Sequence, residues 1–303
     1  MHQLLEFQER VVRDLAWVIL SPPMIQASSV HVRCATSQWC ADQFEDFLEQ
    51  LRALDRDPRP LLQALEKQAS PKLGKYFENL IAYWLDASPN FDLLARNVQI
   101  RDAKITYGEL DLIVHDRQTA RTSHWEVAAK FYLELGPPAE LRSWVGPNRR
   151  DDLGRKSQHL LDNQARRSEH PVARTLLADR SIDVQDAFVF LKGHLFHTTE
   201  HKQSGTQPAA ADSLVQIHPE HERSWWCTRS EFERTHATSD LSWFELIKPN
   251  WLVNQSGFPA SSAQQPWSPD HCTGPTLIVG LSGDLQVERG FVVPDDWGRT
   301  IES

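Results

Sequence analysis

Leu4, Phe7, Val11, Leu15, Val18 and Ile19 recur at three- and four-residue steps, and Pro22-Pro23 then stops the pattern. That spacing marks one apolar face of a helix. Phe44, Phe47, Leu48 and Leu51 repeat it, as do Leu61, Leu62 and Leu65. Residues 1–69 are therefore expected to form a packed helical cap. Ser70-Pro71 reads as a cap followed by proline at the first helical position. The helix it opens, over residues 71–85, places Leu73, Phe77, Leu80 and Trp84 on an apolar stripe. Glu78 falls on another strip with Gly74, Ala82 and Leu85, where a carboxylate is either partly buried or beside a ligand. On a helix a lone glutamate is most often solvated, so Glu78 alone means little.

After Ser88-Pro89-Asn90, residues 93–100 read as extended, and two apolar runs follow within residues 107–131. Side chains alternate faces along a strand. Glu109, Asp111 and Ile113 are thus expected on one face of the first run, with Leu110, Leu112 and Val114 on the other. In the second, Glu126, Ala128 and Lys130 oppose Trp125, Val127, Ala129 and Phe131. A hairpin of the two would gather Glu109, Asp111, Glu126 and Lys130 on one surface. Carboxylates brought together and partly desolvated raise each other's pKa. A divalent cation removes that cost.

Residues 151–167 are expected to be helical, with Leu153, Leu160 and Leu161 inward, and residues 184–196 form another buried strand. Residues 198–213, rich in Ser, Gln, Gly, Pro and Ala, read as a linker. The tryptophan-rich remainder is expected to lie as short strands and loops on the main body. The order helix, strand, strand, strand, helix, strand makes the middle an α/β unit. The organisation expected is a helical region at 1–69, an α/β core at 70–200, and a linker with C-terminal extension at 201–303.

The 303 residues suffice for a substantial core, and 40% hydrophobic with 24% charged residues is ordinary for a globular protein. Charges interrupt the apolar residues at the N-terminus, and no apolar run approaches the ~20 residues of a membrane span. A cytoplasmic, membrane-free protein is expected. Cys34, Cys40, Cys227 and Cys272 never form a CxxC pair, so they are expected to be reduced rather than zinc ligands. The net charge of −9 argues against a generic nucleic-acid coat, although clustered active-site carboxylates contribute to it. No phosphate-binding glycine loop, dinucleotide fingerprint or serine-hydrolase elbow occurs. His194, His197 and His201 have a spacing that suggests zinc, but they straddle a strand end, where no regular structure fixes them on one face. His218 and His221 are weaker still.

A helix glutamate, then Y-G-E-L-D-L-I, then H-W-E-V-A-A-K resembles the PD-(D/E)XK nuclease superfamily. R-D-L-A-W-V-I-L-S-P-P, L-G-K-Y-F-E-N-L, W-V-G-P-N-x-x-D-D-L-x-x-K and L-K-G-H-L-F, together with those motifs, resemble domain-of-unknown-function family 1853, usually grouped with that superfamily. The resemblance implies a mixed central sheet flanked by helices, with an N-terminal helical cap and a C-terminal strand and loop extension. It implies a nuclease that hydrolyses phosphodiester bonds with a metal-activated water. Asp111 and Glu126 would be the metal ligands, with the Val127 carbonyl as a third, Glu109 as an extra or rim group, and Glu78 reaching the metal directly or through water. Hard oxygen ligands of this kind suit Mg²⁺ or Mn²⁺.

The departure is at the lysine. The superfamily places it two residues after the second carboxylate, where this chain has Ala128; Lys130 is four residues on. In a regular strand that sets its Cα ~13 Å from Glu126. A bulge could shorten the gap, Lys156 could supply the ammonium from the following helix, or the site only binds. Gln158 and Gln164 lie near Lys156, and Arg149, Arg150 and Arg155 fall in the most basic window of the chain. Those arginines and Gln158 would hold phosphates, or form a solvated helix face. The partner expected is DNA or RNA, and the alternative is an inactive nuclease-like scaffold that binds nucleic acid or a protein.

Overall fold

The computed structural model describes residues 2–27, 32–68, 70–204, 215–236, 239–253 and 265–298. Helices α1 (Arg10–Leu20), α2 (Ser37–Arg56), α3 (Arg59–Glu66) and α4 (Leu73–Ala87) come first, with two short strands, β1 (Ile25–Ala27) and β2 (Val32–Cys34), after α1. Then follow β3 (Phe91–Arg101), β4 (Thr106–Asp116), β5 (Arg121–Glu134) and β6 (Trp144–Val145). Helix α5 (Leu153–His159) runs into a π-helical turn, Leu160–Gln164, and α6 (Pro171–Ala178) leads to β7 (Asp186–Thr198). The chain ends with α7 (Thr199–Ser204), β8 (Val215–Ile217), β9 (Glu222–Thr228), α8 (Arg229–His236), β10 (Ser242–Glu245), β11 (Gln265–Pro266), β12 (Thr276–Ser282) and β13 (Leu285–Val293).

The protein is mixed α/β. Its 11-stranded sheet has the order β11-β10-β12-β13-β9-β7-β5-β4-β3, with β2 on β7 and β6 on β5. Strands β5 and β7 are parallel neighbours, and almost every residue of β7 is buried. Helices cover both faces there, which is why β7 reads as continuous rather than alternating hydrophobicity. On one face, Trp17 of α1, Phe44 of α2 and Phe77 and Trp84 of α4 pack with Trp125, Phe188 and Phe190. On the other, Leu153, Leu160 and Ala165 pack with Tyr132, Val189 and Leu191. Among the described residues no helix is long and apolar enough to cross a membrane.

Several expectations shift. Helix α4 opens at Leu73 with Lys72 as its cap residue, while Ser70 Oγ accepts the Lys72 N–H in a local turn. The helix expected at 151–167 is divided: Asp152 caps α5 through the Arg155 N–H, and the π turn then changes its pitch. Strand β7 ends two residues later than expected, α7 occupies the start of the expected linker, and residues 205–214 of that linker lie outside the described residues. The C-terminal region does not merely lie on the core. Strand β9 pairs in parallel with β7, so the central sheet continues through β13 and β12.

Candidate active site

Strands β3 and β4 pair from Phe91↔Asp116 to Arg101↔Thr106, but β4 and β5 pair only from Leu112↔Trp125 to Asp116↔Arg121. Beyond Leu112 the two strands part. Asp111 stands at that fork, and its Oδ2 accepts the Val127 N–H at 3.1 Å, so a carboxylate takes the place of a ladder carbonyl. Opposite it, Asn97 of β3 has φ +52°. The alternation expected for β4 breaks here. Ile113 packs with Leu110 against α6, although regular alternation puts them on opposite faces. Alternation therefore does not run unbroken from Glu109 to Ile113, and the irregular backbone at Asn97 lies at the break.

Glu126 is almost wholly buried. Its Oε2 accepts from Gln164 Nε2 at 2.7 Å, and its Oε1 has His124 Nε2 at 3.1 Å and Arg167 at 3.9 Å, neither aligned into a hydrogen bond. A buried carboxylate oxygen without a bond is costly. Burial first, and then the Glu126 charge, push the Asp111 carboxyl up to about 7. Lys156 donates to Gln164 Oε1 at 2.9 Å, so one amide links the lysine to Glu126. Burial, and secondarily the Lys130 charge, lower the Lys156 pKa.

The other expected residues are placed as follows. Glu109 is engaged by Gln99 across the β3–β4 pair, and its charge, like that of Glu78, adds to those that raise the Asp111 carboxyl. Strand β5 runs along β7 without a register shift from Ser123 to Leu133, so no bulge brings Lys130 back toward Glu126. Its ammonium instead pairs with Asp151 at 2.7 Å, which Tyr132 also approaches. Glu78 pairs with Lys75 at 2.6 Å and lines a groove of about 700 Å³ together with Lys130 and Asp151. Arg149 donates to the Trp297 carbonyl, Arg155 pairs with its own helix cap Asp152, and Arg150 and Gln158 are exposed.

Sequence places Gln164 only near Lys156 and Arg167 only in the basic window, without joining either to Glu126. A π turn, which is rare and frequent at functional sites, sets Gln164 in place, and no residue pattern announces it. Arg167 crosses to the Glu109 carbonyl and lies against Gly108, whose φ of +137° and missing Cβ leave room for it.

Three His, Cys, Asp or Glu side chains do not converge to hold a metal ion anywhere among the described residues. At the fork the carboxylates are Asp111, raised by burial and then by the Glu126 charge, and Glu126 itself, whose Oε1 makes no hydrogen bond. Of the histidines singled out, His194 faces Glu222 at 3.1 Å, whereas His197 and His201 both approach Glu134, and His197 Nε2 lies 3.1 Å from His221 Nε2. The four cysteines are free thiols.

No curated protein and no solved structure matches the chain. The family model described as Domain of unknown function (DUF1853) matches residues 13–273. The chain belongs to that family.

Proposed function

We propose that the protein is a divalent-cation-dependent phosphodiesterase acting on nucleic acid, with a PD-(D/E)XK nuclease-like core. The observation that carries this reading is the pairing of Asp111 with Glu126 at the strand fork, where burial and like charge raise the Asp111 carboxyl to about 7. Asp111 and Glu126 would hold Mg²⁺ or Mn²⁺. The bound ion supplies an acidified water and charge stabilisation at the scissile phosphate. Gln164 fixes Glu126 and, through its carbonyl, aims Lys156. A lysine with a lowered pKa is suited to take or hold the proton of the attacking water. Lys156, not Lys130, is assigned that role, because Lys130 is held by Asp151. Glu78 stands on the groove wall.

The test is incubation with single- and double-stranded DNA and RNA, each with Mg²⁺, Mn²⁺ or EDTA. Cation-dependent cleavage that drops at least 100-fold in Asp111→Asn is expected. Cleavage that survives that substitution, or EDTA, refutes the reading.

One observation favours a second reading, a nuclease-like scaffold that binds without cleaving. The superfamily's strand lysine is missing from its usual position, and the nearest strand lysine is neutralised by Asp151. That reading predicts no turnover on any nucleic acid and no thermal shift with Mg²⁺.

A further inference from the structure

The fork leaves part of β5 with an open edge. Strand β4 pairs with β5 only as far as Trp125, and β6 joins it only at Leu133 and Glu134. Peptide groups along a strand point alternately to its two neighbours. The Val127 N–H turns to the β4 side, toward Asp111, and the Leu135 N–H turns the same way, toward Ser143. Ala129 and Phe131 lie between them in the same phase, so their N–H and C=O groups face out of the sheet. Among the described residues, neither β4 nor β6 pairs with Ala129 or Phe131 on that side. An interior strand edge left unpaired in this way is a row of ready hydrogen-bonding groups.

That edge is the floor of the groove of about 700 Å³ lined by residues 127–131. One bank is the start of α4, where Leu73 and Gly74 line the groove and Lys72 provides no side-chain cap. The first amides of a helix have no intrahelical partner and carry partial positive charge. The other bank carries Lys248. Lys72 and Lys248 are exposed and make no ion pair among the described residues, whereas the acids of the groove are neutralised locally, Glu78 by Lys75 and Asp151 by Lys130. The charge left over is positive on both banks. A groove of this volume is within the range of small-ligand clefts, about 300–1,000 Å³, and an open strand edge can bond only to bases whose edges are unpaired, as those of a single strand are.

We propose that this groove seats a single strand of nucleic acid. Its phosphates take the amides of Ala129 and Phe131, the start of α4, and the ammonium groups of Lys72 and Lys248. The outward carbonyls of Ala129 and Phe131 accept from base amino groups. The inference takes its polymer class from the proposed function and adds the strandedness of the substrate and the residues that seat it.

Binding is read by fluorescence anisotropy in EDTA on the Asp111→Asn protein, so that cleavage plays no part. The probes are labelled single strands of about 15 nucleotides, within single-strand site sizes, and the corresponding duplexes. Single strands should bind at least 10-fold more tightly than duplexes. In Lys72→Ala/Lys248→Ala, affinity should fall about 10-fold and the slope of log K against log salt should shrink by about 1.4, the loss of two single-strand phosphate contacts. Equal or tighter duplex binding, an unchanged salt slope in the double variant, or no binding overturns the inference. Tight single-strand binding without cleavage by the wild type sinks only the catalytic reading. Cleavage of duplexes without preference for single strands sinks only this one.

Discussion

The Val127 N–H donates to Asp111 Oδ2 at 3.1 Å at the point where β4 and β5 separate. A single carboxylate thus ends a ladder and begins a site. Because Asp111 is half-buried and lies near Glu126, it resists ionisation, and its carboxyl lies at about 7.

That value sets a stability profile. An unfolded aspartate titrates near 3.9. Between about pH 4 and pH 7 the folded chain therefore holds a proton that the unfolded chain has lost, so stability falls as pH rises through this window. Asp111→Asn keeps an acceptor for Val127 and removes the titration. It should be more stable than wild type above pH 7, by on the order of 2–3 kcal/mol, and no more stable at pH 4. Thermal melts of both proteins from pH 4 to 8 decide this; parallel curves would show that Asp111 is ionised normally.

The two lysines should separate in kinetics. Lys130→Met breaks a half-exposed pair with Asp151, a contact worth at most about 1 kcal/mol, and should leave the cleavage rate within about threefold. Lys156→Met should lower it by about 100-fold or more, the scale of general acid–base contributions. The opposite ranking in single-turnover assays would return the role to Lys130.

At the far end of β5, Glu134 is buried and contacts both His197 and His201. Burial alone would push its carboxyl up, but the hydrogen bonds to the two histidines outweigh this and hold it below the usual glutamate range. A lowered carboxyl stabilises the fold above its unfolded pKa and loses that contribution as pH falls through the folded value. Glu134→Gln should cost about 1–3 kcal/mol at pH 7, because a buried carboxylate and its charge-assisted hydrogen bonds are lost, and much less at pH 3. Urea midpoints at the two pH values test it, and an equal loss at both would remove the charge argument.

Two glycines should differ in tolerance. A Cβ at Gly193 of β7 would lie 1.7 Å from the Lys130 carbonyl oxygen, at φ +142°, and the backbone there cannot yield. Gly193→Ala should cost more than about 4 kcal/mol, a loss outside the usual range for point changes. At Gly108 the obstacle is the Arg167 side chain, which can swing away. Gly108→Ala should cost only the backbone strain, about 1–3 kcal/mol. Comparable unfolding midpoints for the two variants would contradict this.

Periodicity made the α4 stripe legible, and Leu73, Phe77, Leu80 and Trp84 are all buried. It also made β5 legible, with Trp125, Val127 and Phe131 on one core face and Tyr132 on the other. It misplaced Ile113, because alternation assumes a regular strand and β4 changes face at the fork. The π turn that sets Gln164 between Glu126 and Lys156 left no trace in the pattern, since its hydrogen-bond shift changes no residue type.

The chain by itself determined the mixed α/β character and which residues carry charge on otherwise apolar strands, because burial dictates the spacing of apolar side chains. Which of those charges meet was decided only by tertiary structure. Asp111 and Glu126 come together because the two strands part just past the Leu112–Trp125 pair, and Lys130 is drawn off because a loop brings Asp151 to it. Contacts between residues distant in sequence depend on where neighbouring strands part, and local spacing does not encode that.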